Sequence, residues 1–224
     1  MKTHVIADIH GCRNELESLL EKLNPDLSRE RIIFTGDMID RGPDSHGVIR
    51  IIRTMQQTYG KEQVVVLRGN HEQMMMDALD KFSSSWLYNG GEQTRASYHG
   101  DRAVLMEDVA FFASLPLIYE DEYSIYVHAG LRPGVLLVKQ DPEDMLWIRE
   151  QFYQHSTGWE KRIVFGHTPT LFLSNQTFPW IEGQLIGIDT GCAYGGALTA
   201  ITMNKGEVIE IQQAPSESMF KWAS

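Results

Sequence analysis

Five short apolar runs in this chain of 224 residues stop at the same kind of place, an aspartate, asparagine or histidine close to a glycine. Val5-Ile6-Ala7 leads into Asp8-Ile9-His10-Gly11, and Ile32-Ile33-Phe34 into Gly36-Asp37-Met38-Ile39-Asp40-Arg41-Gly42. Val64 to Leu67 leads into Arg68-Gly69-Asn70-His71-Glu72, Ile125 to Val127 into His128-Ala129-Gly130, and Ile163 to Phe165 into Gly166-His167-Thr168. Runs without polar alternation read as strands covered on both faces. A side chain at the C-terminal edge of such a strand stands where α/β sheets build their sites. The stretch from Gly36 to Gly42 places Asp37, Asp40 and Arg41 together, which is costly to bury uncompensated. A metal ion for Asp37 and a phosphate for Arg41 would compensate them; alone, the stretch also fits a surface turn with a local salt bridge.

Spacing brings these edges together. Asn14 to Leu23 carries Leu16, Leu19, Leu20 and Leu23 on one helical face and stops at Asn24-Pro25. A second helical segment opens at Pro43, carries Val48, Ile49, Ile51 and Ile52, and closes at Gly60. Asp37 follows Asp8 by 29 residues and Asn70 follows Asp37 by 33, about one βαβ unit each. Right-handed crossovers then place Asp8, His10, Asp37 and Asn70 on one edge of one parallel sheet. The second half reads as richer in strands, at 117–119, 125–127, 163–165 and 185–188. A hairpin of 197–203 with 208–211 closes it. No linker interrupts the chain and both halves feed one site, so the expectation is one domain over 1–224. Residues 73–112, with Met74 to Met76, Trp86, Tyr88, Tyr98 and Gly90-Gly91, read as short helical pieces. They either pack ordinarily, the methionines filling gaps, or form a small cap in which Trp86, Asn89 or Arg95 touches substrate.

Charge narrows the partners. A formal net charge of −10 argues against non-specific nucleic-acid binding, which needs basic surface. Cys12 and Cys192 lie outside any Cys-x-x-Cys pattern, which makes a reduced, cytoplasmic protein the expectation. Met1-Lys2 runs straight into Val5-Ile6, so no signal peptide is expected, and no apolar run approaches the ~20 residues of a membrane span.

Asp8, His10, Asp37, Asn70, His128 and His167 all stand at strand ends and all can bind metal. Carboxylate, imidazole and amide donors without thiolate suit two divalent ions such as Mn, Fe or Zn. Asp37 is the natural bridge; Asp8 and His10 would complete one ion, and Asn70, His128 and His167 the other.

These five motifs, in this order, resemble those of the metal-dependent phosphoprotein phosphatases within the calcineurin-like metallophosphoesterases, the short bacterial and phage members above all. Leu146-Trp147-Ile148-Arg149 and Ile188-Asp189-Thr190-Gly191 through Gly195-Gly196 are similar to further segments of those enzymes, so the resemblance runs from about Val5 to Thr199. It implies a four-layer α/β/β/α sandwich and a two-metal centre, with manganese the leading candidate, held by the six residues above. It implies that His71 is catalytic, that Asp40 orients it, and that Arg41 and Arg68 bind the substrate phosphate. Arg149 matches a third phosphate-binding arginine through a weaker motif. The implied reaction is hydrolysis of phosphoserine and phosphothreonine in proteins, with phosphotyrosine a further candidate, by direct attack of a metal-bridged hydroxide. The cysteines have no role in that scheme, and Asp189 reads as structural, with a role near the site as the alternative. A rival is a hydrolase of dinucleoside polyphosphates such as diadenosine tetraphosphate, whose relatives carry a similar Asp-Thr-Gly-Cys segment. Asp40 and Glu72 favour the phosphatase, because symmetrically cleaving bacterial relatives tend to carry alanine and aspartate there, and the short chain leaves little room for their insertions. A non-catalytic, metal-loaded binding module is the remaining alternative, and it would be expected to have lost a ligand or the acid.

Overall fold

The computed structural model describes residues 1–81 and 84–217. Its strands are β1 (Lys2–Ile6), β2 (Arg31–Phe34), β3 (Val64–Val66), β4 (Ile118–Glu120) and β5 (Ser124–Val127) in the first part of the chain. β6 (Arg162–Phe165), β7 (Trp180–Glu182), β8 (Leu185–Gly187), β9 (Ala197–Asn204) and β10 (Glu207–Pro215) follow. They form two five-stranded sheets, ordered β10-β9-β1-β2-β3 and β4-β5-β6-β8-β7. β1, β2 and β3 are parallel neighbours, as are β5, β6 and β8, and antiparallel strands close each sheet.

The period of two along each strand explains why these runs are apolar throughout. Ile6, Ile32, Phe34, Val64 and Val66 face outward into a core shared with Leu16 and Leu19 of α1 (Arg13–Leu23) and Val48, Ile49 and Ile52 of α2 (Ser45–Tyr59). Their neighbours Val5, Ile33 and Val65 face the second sheet, where they meet Tyr126, Val164 and Ile186. On the far side Val127, Ile163 and Phe165 pack under Met145, Ile148 and Phe152. The result is the α/β/β/α sandwich. Each fully buried aliphatic or aromatic side chain stabilises it by about 1.5–3 kcal/mol before entropy is counted.

The helix ends have local causes. Asn24 caps α1 with φ 38°, and its N–H reaches Leu20 O at 2.9 Å. α2 starts at Ser45, two residues later than Pro43, because the Asp44 carboxylate accepts the Gly47 N–H at 2.8 Å. The segment between β3 and β4 holds α3 (Asn70–Lys81), a π-helical turn at Leu87–Gly91, α4 (Glu92–Ser97) and α5 (Arg102–Ala113). Two positions of the expected cap, Phe82 and Ser83, lie outside the described residues. Short helices α6 (Pro142–Trp147), α7 (Glu150–Tyr153) and α8 (Thr170–Ser174) flank the second sheet. Among the described residues no helix is long and apolar enough to cross a membrane.

Candidate active site

The loops leaving β1 and β2 interlock through their backbones. His10 N–H donates to Asp37 O and Gly11 N–H to Met38 O, both at 2.9 Å. The loop after β6 reaches the same place from the second sheet, where the His167 N–H donates to both Asp8 oxygens at 2.9 and 3.0 Å. Of the ten non-glycine residues with positive φ among the described residues, six are Asp8, His10, Asp37, Asp40, Arg41 and His167. Each such residue costs on the order of 1–3 kcal/mol and persists only where its surroundings over-determine it. Strain in this chain is therefore concentrated in the residues that the motifs single out.

Asp37 sits at the centre. It belongs to two buried clusters whose potential ligand atoms lie within 4.8 Å of one another, His10–Asp37–His71 and Asp37–His128–His167. Burial pushes its carboxyl up, but four imidazoles, His128 foremost, outweigh that and hold it far below the usual carboxylate range. Glu72 fixes the loop from beneath, accepting the N–H groups of Asp37, Met38 and Gly69 at 3.0, 2.8 and 2.8 Å. Burial, with the Asp37 charge beside it, raises Glu72 to about 7. Burial and then Asp189 and Asp37 push Asp8 well above the ordinary value, and burial takes Asp189 to about 6. The imidazoles move the other way. Burial lowers His10, His128 and His167, with Arg41 adding to it at His10 and His128 at His167.

This donor set fits divalent ions. His128 Nδ1 lies 3.0 Å from Thr35 O, so its N–H is spent on that carbonyl and the Nε2 lone pair faces Asn70 Oδ1 at 2.8 Å. His167 Nδ1 reaches the same oxygen at 3.0 Å, and the buried His167 Nε2 has no hydrogen-bond partner. The His128 Nε2 lone pair and the Asn70 carbonyl oxygen are two acceptors facing each other, an arrangement that a cation would satisfy. His10 repeats the pattern, with Nδ1 2.9 Å from Ile39 O and Nε2 facing the Arg41 guanidinium.

Beside the cluster His71 Nδ1 lies 2.6 Å from Asp40 Oδ2, and both residues are buried. A cavity of about 260 Å³ opens over Asp37, Asn70, His71 and His167, with Arg41 and Arg149 on its walls. The Arg149 Nη1 donates to His167 O at 3.1 Å and Thr168 Oγ1 at 3.2 Å, and Arg41 lies over the Tyr194 ring at 5.0 Å. Arg68 does not line this cavity, yet its Nε is buried without a partner.

Several expectations change here. Asn89 lines the cavity, whereas Trp86 is buried behind Asp40 and Arg95 is exposed on α4 away from the lining. Asp189, read from sequence as structural, is a buried wall of the cavity. The Asp8 carboxylate accepts the His167 N–H and keeps further lone pairs, and His71 stands within ligand distance of His10 and Asp37. Trp147, Phe172 and Tyr194 on the rim carry no strand-end signal; only the position of Trp147 beside Arg149 hinted at it.

The sequence pattern of the calcineurin-like phosphoesterases matches residues 1–184. The bis(5'-nucleosyl)-tetraphosphatase PrpE [asymmetrical] of Oceanobacillus iheyensis is 29% identical, with 94% of this chain and 92% of that protein covered. Serine/threonine-protein phosphatase 1 of Salmonella typhimurium is 32% identical over 87% of this chain and 88% of its own. Among solved structures, one assigned provisionally as a diadenosine tetraphosphatase superposes with a TM-score of 0.74 at 21% identity, covering 100% of this chain and 95% of that one. A serine/threonine phosphatase from Saccharomyces cerevisiae superposes with a TM-score of 0.67 at 17% identity, covering 96% and 80%. The two solved structures share the fold. The chain belongs to the calcineurin-like phosphoesterase family and is a metal-dependent phosphoester hydrolase.

Proposed function

We propose that the site hydrolyses phosphomonoesters of serine and threonine side chains in proteins. The observation that carries this reading is the buried Asp40–His71 pair, 2.6 Å apart, with His71 on the cavity wall and Asp40 behind it. A serine or threonine alkoxide is a strongly basic leaving group and needs a proton as the ester bond breaks. A nucleotide leaving from a polyphosphate is a far weaker base and needs it much less. With Nδ1 held by Asp40, His71 presents Nε2, 3.9 Å from Asp37 Oδ2, on the ligand side.

Two divalent ions held by Asp8, His10, Asp37, Asn70, His128 and His167, manganese before iron or zinc, would supply Lewis-acid charge and activate water. The remaining work falls to this chain's own groups. Arg41 and Arg149, on the cavity wall, meet the phosphoryl oxygens with forked donors, and Arg68, two residues before Asn70, is proposed as a third phosphate-binding arginine. The attacking water gives up a proton to solvent as its oxygen forms the new P–O bond and the ester P–O bond breaks, while His71 passes its Nε2 proton to the departing oxygen and regains one from solvent. Asp40 keeps the imidazole turned for that transfer.

A second reading rests on the rim. Trp147 and Phe172 are 37% and 64% exposed at the cavity mouth beside Tyr194, a surface on which a purine could stack. The PrpE relative's name makes dinucleoside polyphosphates the substrate to compare. Chain length does not separate the readings, since 92% of that relative is covered. Asp40 and Glu72 bear only on symmetrically cleaving relatives, and this one is named asymmetrical. The deciding experiment compares kcat/KM on a phosphoserine peptide, diadenosine tetraphosphate and a nucleoside monophosphate with one manganese-loaded preparation. The phosphopeptide should rank first. A higher value for the tetraphosphate would replace this reading with the second.

A further inference from the structure

The carboxylate of Asp40 is held by more than His71. The Trp86 indole N–H donates to both of its oxygens at 2.9 Å, and the Thr94 hydroxyl donates to Oδ1 at 2.6 Å. That hydroxyl also accepts the Asp40 backbone N–H at 2.8 Å, so one threonine spans the main chain and side chain of one aspartate. Ser45 Oγ completes the ring, 3.0 Å from Asp40 N and 2.9 Å from Thr94 Oγ1. Asp40, Ser45 and Thr94 are inaccessible to solvent and Trp86 is 4% exposed. Asp40 has φ 73°, in the left-handed region that few non-glycine residues occupy.

The segment supplying Trp86 and Thr94 is shaped for the task. Its π-helical turn breaks at Asn89 and Gly90, and Gly90 O accepts the Arg41 N–H at 3.1 Å. Gly90 has φ 101°, and a Cβ there would lie 2.7 Å from the Arg41 nitrogen. A Cβ on Gly91 would overlap the Trp86 indole. Two glycines thus let the turn press against Arg41 on one side and fold onto Trp86 on the other.

We propose that Trp86 and Thr94 are positioning residues that clamp Asp40, leaving one lone pair of Oδ2 aimed at His71 Nδ1, so that the segment carrying Asn89 into the cavity also sets the geometry of the acid pair from behind. This rests on the proposed role of His71. An indole that merely filled core space would not need both carboxylate oxygens. Losing the clamp lets the carboxylate rotate, and it should harm only the substrates that need the proton.

The test uses the full chain, manganese-loaded, in single-turnover assays on a phosphoserine peptide and on p-nitrophenyl phosphate, whose leaving group needs little protonation. Trp86→Phe and Thr94→Val should each slow the peptide roughly 10- to 100-fold and largely spare the aryl ester, and Thr94→Ser should restore the peptide rate. His71→Asn is the reference. If His71→Asn discriminates between the substrates and the clamp variants do not, the clamp is wrong and the acid reading stands. If His71→Asn slows both substrates equally, the acid reading fails and this inference falls with it. Should both clamp variants fail to fold, exchange of the Trp86 indole N–H in the metal-free chain decides. Faster exchange in Asp40→Asn supports the clamp, and an unchanged rate overturns it.

Discussion

Asp8 and His167 are 159 residues apart in sequence, yet the carboxylate of one receives the backbone N–H of the other on both oxygens. The contact joins the end of β1 in the first sheet to the end of β6 in the second, and both residues are proposed metal ligands. Asp8 also faces Asp37 and Asp189, which with burial raise its pKa. A carboxyl whose folded pKa is raised favours the folded chain at low pH and loses that contribution as pH rises. In the metal-free chain at neutral pH it is a cost. Asp8→Asn keeps an acceptor for the His167 N–H and removes the charge. The metal-free variant should therefore melt at or above the wild type while losing hydrolytic activity. A clearly lower melting temperature would contradict this account of Asp8.

The same charges predict which groups give up protons when metal binds. His10, His128 and His167 are pushed below the ordinary imidazole value and already present lone pairs at pH 7. Asp8 is raised, Glu72 stands at about 7 and Asp189 at about 6, so the carboxylates carry the exchangeable protons. A bound cation lowers their pKa values, so manganese binding should release protons, and its apparent affinity should rise with pH between 6 and 8. Calorimetry in buffers of different ionisation enthalpy should show less release in Asp8→Asn. Release unchanged in that variant would show that Asp8 is not among the groups that give up a proton.

Arg41, Arg68 and Arg149 are proposed to meet the phosphoryl group, and they differ in what truncation would strand. Among the described residues Arg68 Nε has no partner to lose, and Arg149 gives up its bonds to His167 O and Thr168 Oγ1. Replacing any of the three by alanine should raise KM, lower kcat, or both, by about tenfold or more if a charge-assisted bond worth ~1.5–3 kcal/mol is lost. Melting temperatures should barely move. An Arg68→Ala protein that unfolds would show a structural role for that side chain.

Much of this site is legible before any coordinates. Asp8, His10, Asp37, Asn70, His128 and His167 stand where parallel strands stop, and the strand period and crossover rule suffice to bring most of them together. The supports were not legible. Glu72 reaches back 35 residues to the Asp37 N–H, and Thr94 reaches 54 to Asp40, through backbone turns that no periodicity encodes. Trp86 has the composition of a core residue, and only the placement of its N–H shows more. Asp189 follows β8 with the same strand-end geometry as the other site carboxylates, so it could have been grouped with them.

The most direct test of the central claim, that the cluster around Asp37 works as a two-ion hydrolytic centre, is a manganese titration of the metal-free chain that follows bound metal and p-nitrophenyl phosphate turnover together. Two ions should bind per chain and turnover should appear only as the second site fills. In Asp37→Asn, which weakens the residue common to both clusters, metal and rate should be lost together. Full turnover in a verified metal-free preparation, or an Asp37→Asn protein with wild-type metal content and rate, would contradict it.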